Sequence, residues 1–305
     1  IIGSYRDNLV FTSGPPSGGG ITLLTALNIL SYFDLAKFKS DSALTYHLLA
    51  EALRRGHNNR SHFVGDPDYF DVPVSQLLSK ERTKELAKTI DLKKATKSNV
   101  VKPLELTTES RDTTHYSIID NEGNAVSNTY TLGYSFGSGV TIPGTGILMN
   151  NQMNNFAYRY GDKKERGRGA STGNRFEPGK NPMSTMAPTM IFNKDGELML
   201  VTGSPGGSLI PAAILRVITG IIDFDLDIGQ ATMLPRVHKD WPTTGILYER
   251  TVNSDVVRII NKRIGHKMTP EHTMGSTQSI HIINGVNYGY ADLRRPGASV
   301  SRQEN

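Results

Sequence analysis

Apolar residues in the first third of the chain follow the spacing of helices. Residues 21–34 form an apolar run, and 43–55 place leucines three to four residues apart. Ser40-Asp41 precedes the second run and is typical of a helix N-cap. A third helix is predicted over 75–90. Residues 91–112 are polar and lack a period, so we expect an exposed, mobile connector.

After residue 113 the pattern changes to strands. Strand-like runs occur in pairs around short turns at 114–132, 189–202 and 279–290, which predicts three hairpins. A long apolar helix is predicted from 208 to 224, and another helix from 254 to 264. Hairpins placed between buried helices indicate an α+β fold in which helices cover layered sheets.

The composition excludes several classes of protein. The chain has 305 residues, 37% of them hydrophobic, which fits one large domain or two ordinary ones. No apolar run approaches the roughly 20 residues of a membrane span. The absence of cysteine excludes disulfides, thiolate zinc sites and a cysteine nucleophile. The histidines lack metal-ligand spacing, and Gly18-Gly19-Gly20 lacks the lysine of a phosphate-binding loop, so we expect neither a metal nor a cofactor.

The charge is modest overall but uneven. The net charge of +5 gives no indication of nucleic-acid binding. Residues 157–180 hold seven basic and three acidic residues. Such a segment either attracts a polyanion or is a solvated loop with incidental charge, and both interpretations stay open. The sequence begins at Ile1 rather than methionine, and we expect it to be a piece of a longer precursor.

Short motifs occur in a fixed order through nearly the whole chain. The motifs are Pro15-Pro16-Ser17-Gly18-Gly19, Arg60-Ser61 with Gly65-Asp66-Pro67, Thr113-Thr114-His115-Tyr116-Ser117, Asn150-Asn151-Gln152-Met153, Pro182-Met183-Ser184-Thr185-Met186, Thr202-Gly203-Ser204-Pro205-Gly206-Gly207 and Met274-Gly275-Ser276-Thr277-Gln278. Each motif alone is weak evidence for a function. Thr113-Thr114, for example, could simply begin a strand, as threonines commonly do. The ordered series resembles the γ-glutamyltransferase (γ-glutamyl transpeptidase) family, a branch of the N-terminal-nucleophile hydrolases.

The resemblance implies a fold and a maturation step. The family folds as an αββα sandwich, and its members are inactive zymogens that cleave themselves before a threonine. By resemblance, that autocatalytic cut falls between Asp112 and Thr113. Residues 1–112 would then be the C-terminal part of the large subunit, and 113–305 the small catalytic subunit. We expect the remainder of the large subunit as a partner, and a location outside the cytoplasm or in the periplasm.

The resemblance also assigns the reacting groups. A threonine hydroxyl is a weak nucleophile, but a freed N-terminal amine has a pKa of about 8 and can act as its base. Thr113 would therefore be the nucleophile, and Thr131 would orient it. Gly206 and Gly207 would form the oxyanion hole through their backbone N–H groups. The alternative for Thr131 is an ordinary strand residue, and for the glycines a tight turn that begins a helix.

Substrate recognition departs from the family pattern. By resemblance, Gln152, Ser184 and Thr185 hold the α-carboxylate and α-amine of a γ-glutamyl group. Asn155 replaces the usual aspartate, which removes a charged contact worth about 1.5–3 kcal/mol. That loss counts against glutathione and favours a donor whose amine is already an amide, such as poly-γ-glutamate. Arg294, with its neighbour Arg295, either grips a substrate carboxylate or forms a structural ion pair.

The sequence therefore predicts a self-cleaving γ-glutamyl transferase or hydrolase. It would form a γ-glutamyl-enzyme at Thr113 and pass the acyl group to water or to an amine acceptor. One alternative is an acylase for side-chain amides such as glutaryl groups. The other is an inactive, truncated relative whose basic groove binds anionic polymers. The substrate stays open among glutathione, poly-γ-glutamate and glutaryl amides.

Overall fold

The computed structural model describes residues 1–97, 113–159, 165–166, 171–241, 243 and 245–302. Within these ranges, no helix is both long and apolar enough to cross a bilayer. The same ranges contain seven α-helices: α1 (Gly19–Leu30), α2 (Ala43–Phe63), α3 (Val74–Leu77), α4 (Lys80–Lys88), α5 (Ile210–Ile222), α6 (Ile228–Met233) and α7 (Ser254–Ile259), the last continuing into a π-helical turn over Ile260–Ile264.

Thirteen strands complete the described residues. They are β1 (Ile2–Tyr5), β2 (Asn8–Thr12), β3 (Thr113–Ile119), β4 (Ala125–Thr131), β5 (Tyr158–Arg159), β6 (Glu165–Arg166), β7 (Thr189–Phe192), β8 (Leu198–Thr202), β9 (Val237–His238), β10 (Gly245–Glu249), β11 (Lys267–Glu271), β12 (Gln278–Ile283) and β13 (Val286–Ala291). They form one six-stranded sheet, one three-stranded sheet and two hairpins, β3–β4 and β5–β6.

The six-stranded sheet joins both halves of the chain. Its order is β1-β2-β7-β8-β12-β13, and every neighbouring pair is antiparallel. The first two strands precede the predicted cleavage site, whereas the other four follow it. The two predicted subunits therefore share a sheet, and the division at residue 113 stays a prediction.

The main core lies between this sheet and the helices. Val10, Ile191 and Leu200 occupy neighbouring register positions in β2, β7 and β8 and are fully buried. They belong to one apolar cluster with the leucines of α1 and α2 and the aliphatic residues of α5. Helix α1 is buried on nearly every side, which explains why its sequence is apolar all round rather than on one face.

The β3–β4 hairpin packs against the six-stranded sheet through polar side chains. Ser117 on β3 donates to the Gln278 carbonyl at 2.9 Å, and Ser127 on β4 donates to the Thr202 carbonyl at 2.9 Å. The hairpin therefore has one face turned toward β8 and β12. Because side chains alternate along a strand, Thr113 lies on that same face as Ser117.

The predicted elements agree closely with the observed ones. All three predicted hairpins are present as β3–β4, β7–β8 and β12–β13. The helix predicted over 75–90 is divided into α3 and α4, since Ser79 lies between them and caps α4 by accepting from the Arg82 amide. Strands β1, β2 and β9 to β11 were not predicted.

The described part of the predicted connector is attached to the fold. Ala95 donates its amide to the Ile264 carbonyl at 2.8 Å. Arg54 on α2 donates to the carbonyls of Thr96 and Lys97 at 2.7 and 3.3 Å. Residues 98–112 lie outside the described residues. The chain before that segment is therefore anchored to α2 rather than projecting from the surface.

Candidate active site

Thr113 begins β3, and the hairpin register sets Thr131 directly opposite it. The Thr113 hydroxyl donates to the Thr131 hydroxyl oxygen at 3.2 Å, and the Gly133 amide donates to the same oxygen at 3.0 Å. Gly133 has a positive φ of 91°, which glycine adopts without strain. The chain after β4 thus turns back, and the Thr131 hydroxyl oxygen accepts hydrogen bonds from both the Thr113 hydroxyl and the Gly133 amide.

A buried histidine lies two residues after Thr113 on the same face of β3. His115 Nδ1 is 2.9 Å from the Thr129 hydroxyl, and Nε2 is 3.2 Å from the Ser117 hydroxyl. Burial lowers the pKa of the His115 imidazole to about 4, so the ring is neutral at pH 7. A Cβ at position 203 would lie only 2.2 Å from this ring, which explains Gly203 in the motif. The inward-facing side chains of β3 next to Thr113 are therefore polar but uncharged.

Thr113 opens into a cleft. Seven of the predicted site residues line it: Thr113, Thr131, Gln152, Asn155, Ser184, Thr185 and Gly207. Arg60, Gly133, Met183, Met186 and Ile210 complete its described lining. Of these described residues, Arg60 alone carries a full charge. These predicted residues, although separated by up to 94 positions in the sequence, therefore meet at one concave site.

Gln152 and Asn155 are the two ends of a short 3₁₀ turn. The Asn155 side-chain amide donates to Gln152 Oε1 at 2.5 Å, and Gln152 Nε2 donates to the Thr131 carbonyl at 3.4 Å. Asn174 in turn donates to the Asn155 carbonyl at 2.8 Å. The two amides therefore form a connected, neutral wall beside the threonine pair, without the carboxylate that the family pattern has at position 155.

Ser184 and Thr185 reach the cleft because a glycine-rich loop lies directly behind them. Gly18 donates its amide to the Ser184 carbonyl at 2.9 Å. A Cβ at Gly19 would lie 2.2 Å from the Thr185 carbonyl oxygen, so any larger residue would displace the loop. The glycines of the Pro15–Gly19 motif thus permit close packing of two backbones.

Gly206 and Gly207 connect β8 to α5 through a sharp turn. Their φ angles are 136° and 59°, so both positions favour glycine. In the part of the chain that the structure describes, no group accepts a hydrogen bond from either amide. Gly206 packs on Gly275, and Ser204 accepts from the Ser276 amide at 2.9 Å, which holds the turn in shape. Gly207 lines the cleft.

Arg294 does not line the described cleft. Its guanidinium contacts both carboxylate oxygens of Glu249 at 2.7 Å, and Asp292 Oδ1 at 3.2 Å. Asp292 also pairs with the fully buried Arg236 at 2.7 Å. Burial alone would raise the pKa of the Asp292 carboxyl, but the charges of Arg236 and Arg294 hold it below its usual value. Of the two sequence interpretations, this geometry corresponds to the structural ion pair.

Two arginines contact the site in places that the sequence did not predict. Arg60, near the end of α2, is buried and lines the cleft. Arg295 donates from Nη1 to the Thr113 carbonyl at 2.8 Å. The sequence had placed Arg60 in one of the ordered motifs and had offered Arg295, like Arg294, as a candidate grip on a substrate carboxylate. It could not place either residue beside Thr113, because that approach depends on how α2 and the C-terminal loop pack.

The predicted cleavage site and basic segment are only partly described. Asp112 lies outside the described residues, as do 160–164 and 167–170 of the basic segment. Lys180, at the end of that segment, is buried, with Nζ 3.1 Å from Glu177 Oε1 and above the ring of Tyr69. Lys180 is therefore engaged in an internal ion pair rather than offered to a polyanion.

One buried group of side chains has the spacing of a metal site. His47, Glu51 and His266 bring three ligand atoms within 4.8 Å of one another. The ammonium of Lys239 already lies 3.1 Å from Glu51 Oε1 and 3.0 Å from His266 Nδ1. Burial alone would raise the pKa of the Glu51 carboxyl, but Lys239 and two arginines hold it well below its usual range. This donor set does not fit a metal cation, because a cationic side chain occupies its centre.

Comparison with known proteins identifies the family. The gamma-glutamyltranspeptidase family model matches residues 1–301. The glutathione hydrolase proenzyme of Escherichia coli K12 is 40% identical over 296 residues, covering 96% of this chain and 51% of that protein. The acylase ACY 1 proenzyme of Pseudomonas sp. SE83 is 33% identical over 304 residues, covering 99% and 51%. The chain thus spans about half the length of these relatives.

The structural comparison agrees. The crystal structure of cephalosporin acylase from Bacillus halodurans superposes with a TM-score of 0.82 at 28% identity, covering all of this chain and 53% of that chain. The predicted α+β fold, the αββα arrangement of N-terminal-nucleophile hydrolases, is therefore confirmed. With a family model that matches almost end to end and a fold that agrees, the chain belongs to the gamma-glutamyltranspeptidase family.

Proposed function

We propose that the chain carries the catalytic centre of a γ-glutamyl transferase or hydrolase that uses Thr113 as its nucleophile. The observation that supports this most directly is the 3.2 Å hydrogen bond from Thr113 to Thr131 at one wall of a cleft. A nucleophile held by a second hydroxyl, beside backbone amides that lack a described acceptor, is the arrangement that acyl transfer needs.

Maturation would use the same hydroxyl. Thr113 Oγ1 attacks the Asp112 carbonyl carbon, the Asp112–Thr113 C–N bond breaks, and the resulting ester is hydrolysed by water. The products are a free Asp112 carboxylate and a free Thr113 amine. This step supplies the base that a threonine hydroxyl otherwise lacks, because an N-terminal amine titrates near neutrality.

In the catalytic cycle, the Thr113 amine takes the hydroxyl proton as the oxygen attacks the γ-carbonyl carbon. The Gly206 and Gly207 amides face the oxyanion of the tetrahedral intermediate, and the turn holds them without reorganisation. The amine then returns the proton to the leaving nitrogen, which leaves an ester on Thr113. Water or an amine acceptor attacks that ester and regenerates the free hydroxyl.

The charges of the cleft favour a donor without a free α-ammonium. Position 155 holds an amide, and no carboxylate lines the described cleft. Arg60 is instead suited to a substrate carboxylate. An internal unit of poly-γ-glutamate has both properties, since its amine is tied up as an amide and its α-carboxylate is free.

A glutaryl amide is the second candidate substrate. A glutaryl group is a γ-glutamyl group without its α-amine, so it also has no need of a carboxylate at position 155. Two of the relatives reported above are acylases by name, one of them sharing the fold over this entire chain. Glutathione itself is the least favoured donor, because its free ammonium would face neutral amides.

The outer face of the β3–β4 hairpin supports the remainder of the large subunit as a partner. Tyr116, Ile118, Val126 and Tyr130 alternate with the inward residues and are 45–60% exposed. A surface with this many exposed apolar side chains usually contacts protein, and the remainder of the large subunit is the partner we assign to it. With the proposed cut before Thr113, residues 1–112 would belong to the large subunit and 113–305 to the small one, and the family resemblance implies a location outside the cytoplasm.

The decisive experiment follows the purified protein on a denaturing gel over time. Wild type is expected to divide into pieces of 112 and 193 residues, whereas Thr113→Ala stays whole. Thr113→Ser should still divide, because it keeps the hydroxyl. Thr114→Ala, an exposed neighbour, is the matched control and should behave as wild type. A wild-type protein that never divides would favour the inactive, polymer-binding relative.

A substrate series then separates the candidates. We compare γ-glutamyl anilide, glutaryl anilide and poly-γ-glutamate as donors for the processed protein. Faster turnover of poly-γ-glutamate supports the proposed donor, and faster turnover of glutaryl anilide supports the acylase. A strong preference for γ-glutamyl anilide, whose amine is free, would contradict the argument from Asn155.

A further inference from the structure

The carbonyl of Thr113 is held from the far end of the sequence. Arg295 lies in the loop after β13, and its Nη1 donates to the Thr113 carbonyl oxygen at 2.8 Å. The two residues are 182 positions apart. No step of the proposed mechanism uses this contact, which lies beside the reacting residue.

The loop that carries Arg295 is rigidly supported. The neighbouring Arg294 is bound to Glu249 through two hydrogen bonds of 2.7 Å, and its own amide donates to Asp292 Oδ1 at 3.0 Å. Asp292 is fully buried and donates its amide to the Thr277 carbonyl. Buried ion pairs of the neighbouring residues thus hold the backbone from which Arg295 reaches Thr113.

The other groups around Thr113 are neutral or cationic. On its own strand lies His115, which is neutral at pH 7, and on β4 the uncharged Thr131. The 3₁₀ turn contributes the neutral amides of Gln152 and Asn155, and α2 contributes Arg60. No carboxylate appears among the described residues that line the cleft.

We propose that Arg295 is a positioning residue for the nucleophile, one that fixes the Thr113 peptide plane after self-cleavage. This inference rests on the proposed function of Thr113. Cleavage frees the amine side of Thr113, so the carbonyl side becomes its remaining backbone attachment, and Arg295 holds that side directly. The amine, the Cα and the hydroxyl then keep the geometry in which one group can act as base for the other.

The charge of Arg295 has a second effect on the freed amine. Within one residue the nitrogen and the carbonyl oxygen lie about 3 Å apart, so the guanidinium lies within about 6 Å of the amine. A cation at that distance disfavours protonation of the amine. Arg295 thereby increases the fraction of enzyme whose amine is in the basic, proton-accepting form near neutral pH.

The test compares Arg295→Met, Arg295→Gln and Arg295→Lys in the processed protein. We expect Arg295→Met to lower kcat about 10-fold or more with KM within about twofold, since the contact positions the nucleophile rather than the substrate. The acid limb of the kcat/KM profile should move up by about half a pH unit, because the amine loses a neighbouring cation. Arg295→Lys should restore the acid limb, and Arg295→Gln should not.

Arg258→Met is the matched control, because Arg258 is an exposed arginine on α7 and should leave kcat and the pH profile unchanged. Wild-type values for all three Arg295 variants would overturn the inference while leaving the proposed function intact. Thermal unfolding is measured beside kinetics, and loss of folding in all three variants would also overturn it, because the arginine would then serve the fold. If wild type neither cleaves nor turns over any donor, the proposed function itself fails.

Discussion

Thr113 and Thr131 are directly opposed in the β3–β4 register, and their hydroxyl oxygens lie 3.2 Å apart. The Thr131 oxygen also receives the Gly133 amide at 3.0 Å, so its position is fixed by backbone on one side and by the Thr113 hydroxyl on the other. The relationship is built into the hairpin, because the register alone brings the two β-carbons together. A change of the Thr131 side chain therefore acts directly on the Thr113 hydroxyl, while the pairing of the two strands stays the same.

Replacing Thr131 with valine should lower the rate of catalysis and reduce stability by only about 1 kcal/mol, because the Gly133 amide also loses its acceptor. Valine keeps the β-branched shape that suits a strand but removes the oxygen that accepts from Thr113. We expect kcat to fall about 10- to 100-fold, since one positioned hydrogen bond to the nucleophile is lost. The measurement is steady-state turnover of the preferred donor, with thermal unfolding as the check on folding.

Thr131→Ser and Thr114→Val serve as controls for that variant. Serine keeps the oxygen and should keep most of the activity, whereas Thr114→Val makes the same chemical change on the exposed face of β3 and should have no effect. Equal activity of Thr131→Val and wild type would show that Thr131 is an ordinary strand residue.

Restoring a carboxylate at position 155 should change the substrate preference. Asn155→Asp gives the cleft an anion beside Gln152, where a free α-ammonium of the donor would lie. We expect kcat/KM for γ-glutamyl anilide to rise about 10-fold or more, as one charged contact is worth about 1.5–3 kcal/mol. Turnover of glutaryl anilide should fall or stay level, since it has no ammonium to pair.

Asn155→Gln is the control, because it keeps a neutral amide and changes only side-chain length. The expected result is loss of activity on all donors without a new preference. If Asn155→Asp raised γ-glutamyl and glutaryl turnover equally, recognition of the α-amine would not be the function of this position.

The sequence was sufficient for elements that local patterns determine. The hairpins β3–β4, β7–β8 and β12–β13 follow from alternation around short turns, and α5 follows from one long apolar run. The strands that were missed are short or pair over long distances. For example, β2 pairs with β7, about 180 residues away, and no local pattern carries that information.

The candidate site shows the same difference between residues that sequence motifs identify and residues that only long-range packing brings in. Seven of the predicted residues line the cleft, and the resemblance carried by the ordered motifs was enough to select them from the sequence. Arg60 belonged to one of the ordered motifs and Arg295 was a candidate for a substrate carboxylate. Their approach to Thr113 still needed the structure, because it depends on the packing of α2 and of the C-terminal loop. The surroundings of Arg294 also needed the structure, since Glu249 lies 45 residues before it.

Buried neutral histidines should make the fold sensitive to mild acid. The pKa of His115 is about 4 in the folded protein against about 6.5 when unfolded. Between these values the unfolded chain binds a proton that the folded protein excludes, so stability is complete above pH 6.5 and is lost as pH falls toward 4. Burial also lowers the pKa of His266, to about 3, which adds to the same trend.

His115→Gln tests this assignment. The contribution of His115 reaches at most about 3 kcal/mol near pH 4, so the variant should lose less stability than wild type between pH 7 and pH 4.5. Denaturant unfolding at several pH values in this window measures the difference. His272→Gln, at an exposed histidine, should leave the pH dependence unchanged. Identical slopes for wild type and His115→Gln would contradict the burial argument.

Arg294→Met distinguishes the two roles that the sequence left open for this arginine. The side chain is 8% exposed, and its loss would leave Glu249 buried without its main cation. We expect a loss of stability of about 3–5 kcal/mol, as for other broken buried pairs. Adding Glu249→Gln should recover part of that loss, because the uncompensated charge is then removed. The measurement is denaturant unfolding of both single variants and the double variant. The opposite pattern, in which Arg294→Met unfolds like wild type but raises KM tenfold, would instead make Arg294 a substrate-binding residue.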